Sequence, residues 1–199
     1  MDAFTVHTGR MVPLRRSDVD TDQIFPGRFG RNATSRTGYA KALFGNWRDQ
    51  EPDFVLNLPV YQGADVLVAG ADFATGSSRE YAVWALQDYG FKAVLSPRFG
   101  DIFRGNAPKR GLIPVVLDQE VIEQLWTMAE EDPSTLVTVD LVERRVTAPG
   151  ISVPFEIDED TRYRLLNGLD DIAVTEHHLD AIDAYEARRR PALPQTTRG

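Results

Sequence analysis

The segment Gly76-Ser77-Ser78-Arg79-Glu80 places two hydroxyls, a guanidinium and a carboxylate directly after a glycine. A guanidinium presents a planar fork that matches a carboxylate bidentately. Two adjacent serines offer hydroxyls to the same spot. Those residue types together suit a small organic anion carrying carboxylates. A plainer reading competes, because Gly-Ser-Ser at the start of a helix is also a common cap. Arg79 argues against capping alone, since the positive end of a helix dipole favours acids and opposes cations. The lysine and spacing of a nucleotide phosphate loop are missing.

The elements around this segment decide where it sits. Asp65 to Ala69 reads as a short buried strand. Ser78 to Tyr89 reads as a helix, with Tyr81, Ala82, Ala85, Leu86 and Tyr89 at three- and four-residue spacings and Gly90 as its stop. Ala93 to Ser96 is the next strand, so the unit is βαβ, with parallel strands and a right-handed crossover. The chemical segment then falls in a strand-to-helix loop, at the carboxyl edge where open α/β sheets bind ligands. The pattern continues with a helix over Phe99 to Asn106, a strand over Leu112 to Leu117 and a helix over Gln119 to Glu131 capped by Asp118.

Upstream, Phe4 to Leu14 predicts two short strands around a Thr-Gly turn. Arg15 to Arg36 predicts a long polar loop with short ordered pieces, Tyr39 to Trp47 one or two helical turns, and Phe54 to Leu58 a strand ended by Pro59. After Pro133, Leu136 to Leu141, Arg145 to Ala148 and Ile151 to Ile157 read as antiparallel strands. Thr161 to Asn167 and Thr175 to Arg189 read as helices, and residues 190–199 as a mobile tail. The expected organisation is one domain over residues 1–189 plus that tail.

Composition narrows the partners. The 199 residues carry a formal net charge of −8, which disfavours nucleic acid and anionic lipid. No apolar run approaches membrane-spanning length and no secretory signal is visible, so a cytoplasmic location is expected. The chain has no cysteine. It offers no thiolate for zinc or an iron–sulfur cluster, and His7, His177 and His178 lack a metal-site spacing. Trp84, Trp126 and Tyr89 read as core or subunit contacts, His177 and His178 as a surface helix, and Glu130-Glu131-Asp132 as an exposed helix end.

Three blocks carry a family resemblance. Phe73 with Gly76-Ser77-Ser78-Arg79-Glu80 resembles the Phe-Gly-x-Gly-Ser-Ser-Arg-Glu-His-Ala signature of the aconitase swivel domain. Asp18-Val19-Asp20-Thr21-Asp22-Gln23-Ile24-Phe25-Pro26 resembles the same family's Asn/Asp-Val-Asp-Thr-Asp-x-Ile-x-Pro block. Arg98 to Asn106 through Gly111-Leu112-Ile113-Pro114 is the third. Weaker similarity covers most of the chain and points to the separately encoded small subunits of the 3-isopropylmalate dehydratases.

The resemblance implies an α/β fold, a swivelling β/β/α domain with a parallel βαβ core and additional antiparallel strands. It implies a hydro-lyase active only as a heteromer, isomerising 2-isopropylmalate and 3-isopropylmalate by dehydration and rehydration in leucine biosynthesis. The family's [4Fe–4S] cluster, whose open iron acts as a Lewis acid, would be held by a large subunit. Residue by residue, the resemblance makes Ser77 the base and Ser78 and Arg79 substrate contacts. Asp22, with Thr21 and Glu80, becomes a supporting group, although Asp22 also suits a turn cap. The loop Gly27 to Arg36 sets substrate choice, with Arg31 near the distinguishing group. Arg31 keeps open a homoaconitase-like or otherwise substituted malate, and a non-catalytic anion-binding paralogue is a third reading. Two positions depart from the signature: Ala74 stands where the family has glycine, and Tyr81 where it has histidine.

Overall fold

A computed structural model describes residues 1–30, 38–76 and 80–189. Among these, seven strands form one mixed sheet in the order β4-β3-β2-β1-β5-β6-β7. The first strand, β1 (Val6–Leu14), pairs along its first half with β5 (Leu136–Asp140), antiparallel, and along its second half with β2 (Val66–Ala69), parallel. Beyond β2 lie β3 (Ala93–Ser96) and β4 (Ile113–Val116), all parallel. On the other side, β6 (Arg145–Ala148) and β7 (Ile151–Pro154) extend an antiparallel meander.

Nothing in this pairing leaves room for a Thr-Gly turn, so the expected two short strands are one continuous strand. The glycine has a different cause. A Cβ at Gly9 would lie 1.8 Å from Asp65 Oδ1, so glycine admits the carboxylate that pairs with His7 Nε2 at 2.9 Å.

Side chains alternate along the parallel strands and feed two cores. Leu67, Ala69 and Val94 join the cluster containing Ala82, Val83, Ala85 and Leu86 of the helix Tyr81–Tyr89. Val66, Val68, Ala93 and Leu95 join the cluster of Ile122, Leu125, Trp126 and Ala129 from the helix Gln119–Glu131. Trp126 satisfies its buried indole N–H on the Val68 carbonyl at 2.8 Å.

The helices, in chain order, are α1 (Thr21–Ile24), α2 (Gly27–Gly30), α3 (Gly45–Gln50), α4 (Tyr81–Tyr89), α5 (Asp101–Asn106), α6 (Gln119–Glu131), α7 (Glu159–Asn167), α8 (Asp171–Glu176) and α9 (Leu179–Arg188). Short 3₁₀ turns at Val55–Asn57 and Pro59–Tyr61 replace the strand expected over Phe54 to Leu58, because Phe54 and Leu56 are buried by packing rather than by pairing. Asp118 occupies the N-cap of α6 without its side chain bonding there. The helix expected over Thr175 to Arg189 is two helices. Asp170 accepts from Ala173 N and starts α8 early, and exposed His177 and His178 sit in the break. The expected tail, residues 190–199, lies outside the described residues. Among those described, no helix is long and apolar enough to cross a membrane.

Candidate functional site

The carboxyl ends of β1, β2 and β3 share one edge of the sheet, and the three sequence blocks leave from it. Backbone hydrogen bonds lace them together. Gly70 N donates to Arg16 O at 3.0 Å, Asp18 N to Ala71 O at 2.8 Å, Ala74 N to Val19 O at 2.6 Å and Thr21 N to Thr75 O at 2.9 Å. Phe73 N donates to Arg98 O at 3.0 Å and Gly100 N to Phe73 O at 2.9 Å. Ser96, fully buried, bonds through its hydroxyl to Gly70 O at 2.7 Å and Arg98 O at 2.9 Å. Phe73 is the apolar pin of this edge, fully buried and edge-on to Phe99 and Phe103 at 6.3 and 5.7 Å.

The path between the blocks is tight. A Cβ at Gly100 would come within 2.4 Å of Ala74 O, and one at Gly70 within 2.5 Å of Arg16 O. Asp18, Asp72 and Ala74 adopt left-handed backbone at φ 55°, 58° and 59°, and Gly76 follows at φ 94°. The family's glycine position therefore does use positive φ here, and Ala74 takes the same hand at an energetic cost. Its buried methyl and its hydrogen bond to Val19 hold it there.

Flanking charges brace the edge. Asp72 pairs bidentately with Arg98, whose hydrogen bond holds the Asp72 carboxyl below the usual range against the opposing effect of desolvation. Arg15 lies over Trp126 and grips Glu130 at 2.6 and 2.8 Å, so the expected exposed end of α6 anchors the loop after β1. Arg16 lies over Trp47 and Phe54 and pairs with Glu51.

Of the sequence-predicted site residues, Thr21, Asp22 and Glu80 are described. Thr21 is buried, with its Oγ1 3.6 Å from where a Cβ on Gly76 would sit. Asp22 is exposed in the first turn of α1, whose cap is Asp20 instead. Asp20 Oδ1 accepts from Gln23 N at 2.7 Å while Gln23 Oε1 accepts from Asp20 N at 2.8 Å, a complete capping box. Glu80 stands at the N-cap of α4 with its carboxylate on Arg110 at 2.8 Å. The described helix runs from Tyr81. Ser77, Ser78, Arg79 and Arg31 lie outside the described residues, which reach Gly76 and Glu80 on either side of the serine–arginine turn.

Residues that the sequence did not single out anchor both sides of the segment 31–37. Before it, Arg28 pairs with Asp49 and Phe29 packs against Gly45. After it, the Asp88 carboxylate of α4 accepts from Gly38 N and Ala40 N, each at 2.9 Å. Tyr81 joins the same anchorage. Its ring stacks on Phe25 at 5.3 Å, contacts Tyr39 at 5.9 Å and meets Trp84 edge-on at 5.2 Å. Where the family signature has histidine, this chain spends the position on an aromatic clamp between the first block, the residues after 37 and α4. Aromatics bracketing the loop in sequence were the available signal, and Asp88 carried none.

The chain's donor set does not fit an iron–sulfur cluster. Thiolates are absent from the sequence, and among the described residues no group of three histidines or carboxylates could hold a metal ion. Two adjoining grooves of about 530 and 620 Å³, both lined by Phe155 and Glu156, touch the three blocks, among the described residues, at Arg104 alone.

Comparison with known proteins agrees with this geometry. Residues 1–120 match the Aconitase C-terminal domain family, and residues 123–159 match LeuD_N. A 3-isopropylmalate dehydratase small subunit from Thermobifida fusca is 62% identical over 196 residues, covering 98% of this chain and 100% of that one. Its counterpart from Acidothermus cellulolyticus is 62% identical over 198 residues, covering 100% and 99%. The crystal structure of a 3-isopropylmalate dehydratase from Methanocaldococcus jannaschii superposes with a TM-score of 0.64 at 27% identity, covering 91% of this chain and 99% of that chain. With both sequence blocks and fold in agreement, the chain belongs to the aconitase-type hydro-lyases, in the family of 3-isopropylmalate dehydratase small subunits.

Proposed function

We propose that this chain supplies the proton-transfer and carboxylate-binding half of a 3-isopropylmalate dehydratase site that a large subunit completes. Ser77 Oγ takes the carbon-bound proton of 2-isopropylmalate while the C–H electron pair forms a double bond and the hydroxyl on the adjacent carbon leaves; rehydration returns a proton and a hydroxyl to the exchanged carbons, giving 3-isopropylmalate. Arg79 binds a substrate carboxylate and Ser78 contributes a hydroxyl. A serine is a weak base unless its alkoxide is stabilised, which is the task of Arg79 and neighbouring N–H groups in a closed site. Thr21, Asp22 and Glu80 support the turn from the first block and from α4. The [4Fe–4S] cluster belongs to the large subunit, since the donors here do not fit it. Substrate and large subunit are the expected partners, in the cytoplasm.

One observation carries this reading: the pairing of Thr21 N with Thr75 O sets the first block beside the residues that lead into the serine–arginine turn. Reconstitution with the large subunit tests it. Ser77→Ala should lower kcat by about 10²- to 10⁴-fold while leaving assembly intact; full turnover by that variant would remove Ser77 from the role. Arg31 supports a second reading, in which the substrate carries a further carboxylate. Turnover of homoaconitate above that of 2-isopropylmalate would establish it.

A further inference from the structure

The last two helices form an arm that the rest of the fold scarcely supports. Neither α8 nor α9 buries a side chain, and neither packs broadly on another element. A ten-residue helix is marginal alone in water, so α9 needs a surface to lie against. Leu179, Ile182 and Tyr185 recur every three residues and therefore share one side of α9. Leu179 and Tyr185 are 52% and 53% exposed, and Ile172 on α8 is 70% exposed. The root of the arm is fixed by polar contacts: Asp170 caps α8, and Asp171 pairs with Arg164 at 2.8 Å and Lys109 at 3.3 Å. Further out, Glu176, Asp180, Asp183 and Glu186 are exposed carboxylates with no cationic partner among the described residues.

We infer that this arm docks onto the large subunit, which receives the Leu179, Ile182 and Tyr185 stripe in an apolar groove rimmed by lysine or arginine. The inference rests on the small-subunit reading, which already requires a second chain. Charge decides against self-association. A second copy of the arm would oppose two sets of unpaired carboxylates, and like charges facing each other across an interface are costly. A basic rim would pair them and extend the apolar contact.

The test uses the full-length chain and immobilised large subunit, with one variant carrying Leu179→Ser, Ile182→Ser and Tyr185→Ser and another carrying Asp180→Lys and Asp183→Lys. All these side chains face solvent at least in part, so both variants should melt with the wild type. Each should weaken association by about tenfold or more, while kcat at saturating large subunit stays unchanged. Unchanged association in both variants would overturn the inference. So would a wild-type chain that sediments alone as a dimer and is dissociated by the serine variant. Slow hydrogen exchange in free α9 that is lost on deleting residues 190–199 would assign the stripe to the tail and overturn it likewise. A wild-type chain with neither association nor turnover would instead bring down the small-subunit reading, and the inference with it.

Discussion

The two halves of the sheet solve the same problem, closing a loop at a strand end, in opposite ways. In the antiparallel half the turns close on themselves, with Arg162 of α7 adding bonds to the Leu141 and Val142 carbonyls. Asp140 Oδ1 accepts from Val142 N and Glu143 N, each at 2.8 Å, and Gly150 turns the next hairpin with open space around it. In the parallel half, loops that leave β1, β2 and β3 are closed by one another. Val19 holds Ala74, Thr75 holds Thr21, and Arg98 holds Phe73. Burial differs accordingly: β2 and β3 are buried at every residue, whereas β5 alternates. Local closure makes a turn that is cheap to alter. Mutual closure makes a site edge in which displacing one loop displaces the others, and it sustains the left-handed conformations of Asp18, Asp72 and Ala74.

The sharpest way to break this contrast is to remove its pin. Phe73→Ala empties a fully buried position against Phe99 and Phe103 and should cost about 3 to 5 kcal/mol by urea denaturation. The reconstituted enzyme should lose activity even where the variant is still folded, because that contact joins the loop after β2 to the third block, and the neighbouring Ala74 N is bonded to Val19 O of the first. Folded Phe73→Ala enzyme with wild-type kcat would mean the loops hold their places independently.

A pair of glycines separates mutual from local closure directly. Gly100→Ala drives a methyl into the backbone at Ala74 and Thr75, with an expected cost of about 1 to 3 kcal/mol and a fall in kcat. Gly150→Ala meets nothing within 4 Å but must keep φ 75°, so it should cost about 1 to 2 kcal/mol and leave kcat unchanged. Similar melting temperatures with different kcat are the expected signature. Equal kcat in the two would contradict the contrast.

Acid should loosen the site edge through Asp72. Its folded carboxyl lies below the ordinary 3.8, first through the Arg98 hydrogen bond, so the pairing contributes above the ordinary pKa and is lost as pH falls through the lowered one. Asp72→Asn should therefore melt below wild type at neutral pH, with the gap narrowing once the pH drops under about 3.8. A gap that is constant across the acid range would detach Asp72 from that limb. Arg98 is exposed and Asp72 only half-buried, so the effect is small and should fade with added salt.

Much of this architecture was legible because its signals are local. The βαβ unit, the span of α6 and the antiparallel meander follow from periodicity and turn residues, and the motif blocks named loops that meet at one edge of the sheet. What escaped depends on distant partners. Gly9 resembles a turn glycine until Asp65 is seen beside it. Phe54 and Leu56 have strand-like composition, but Phe54 packs against Trp47 and Arg16 and Leu56 joins the same core cluster. Asp88 and the aromatic clamp at Tyr81 became visible only once α4 was set against residues 38–42.

Ala74 gives the finest test of mutual closure, because two opposing terms nearly cancel there. The left-handed backbone costs an alanine about 1 to 2 kcal/mol, which glycine would recover. Against this, removing a buried methyl forfeits about 0.8 kcal/mol, and a more flexible unfolded chain takes back some of the rest. Ala74→Gly should therefore melt within about 1 kcal/mol of wild type and retain its kcat, since the hydrogen bond to Val19 needs only the backbone. A gain well above that would mean the methyl packs against little and the edge carries its strain unaided. A loss well above it would mean that the methyl, more than the interlocked backbone, holds the loop in its left-handed path.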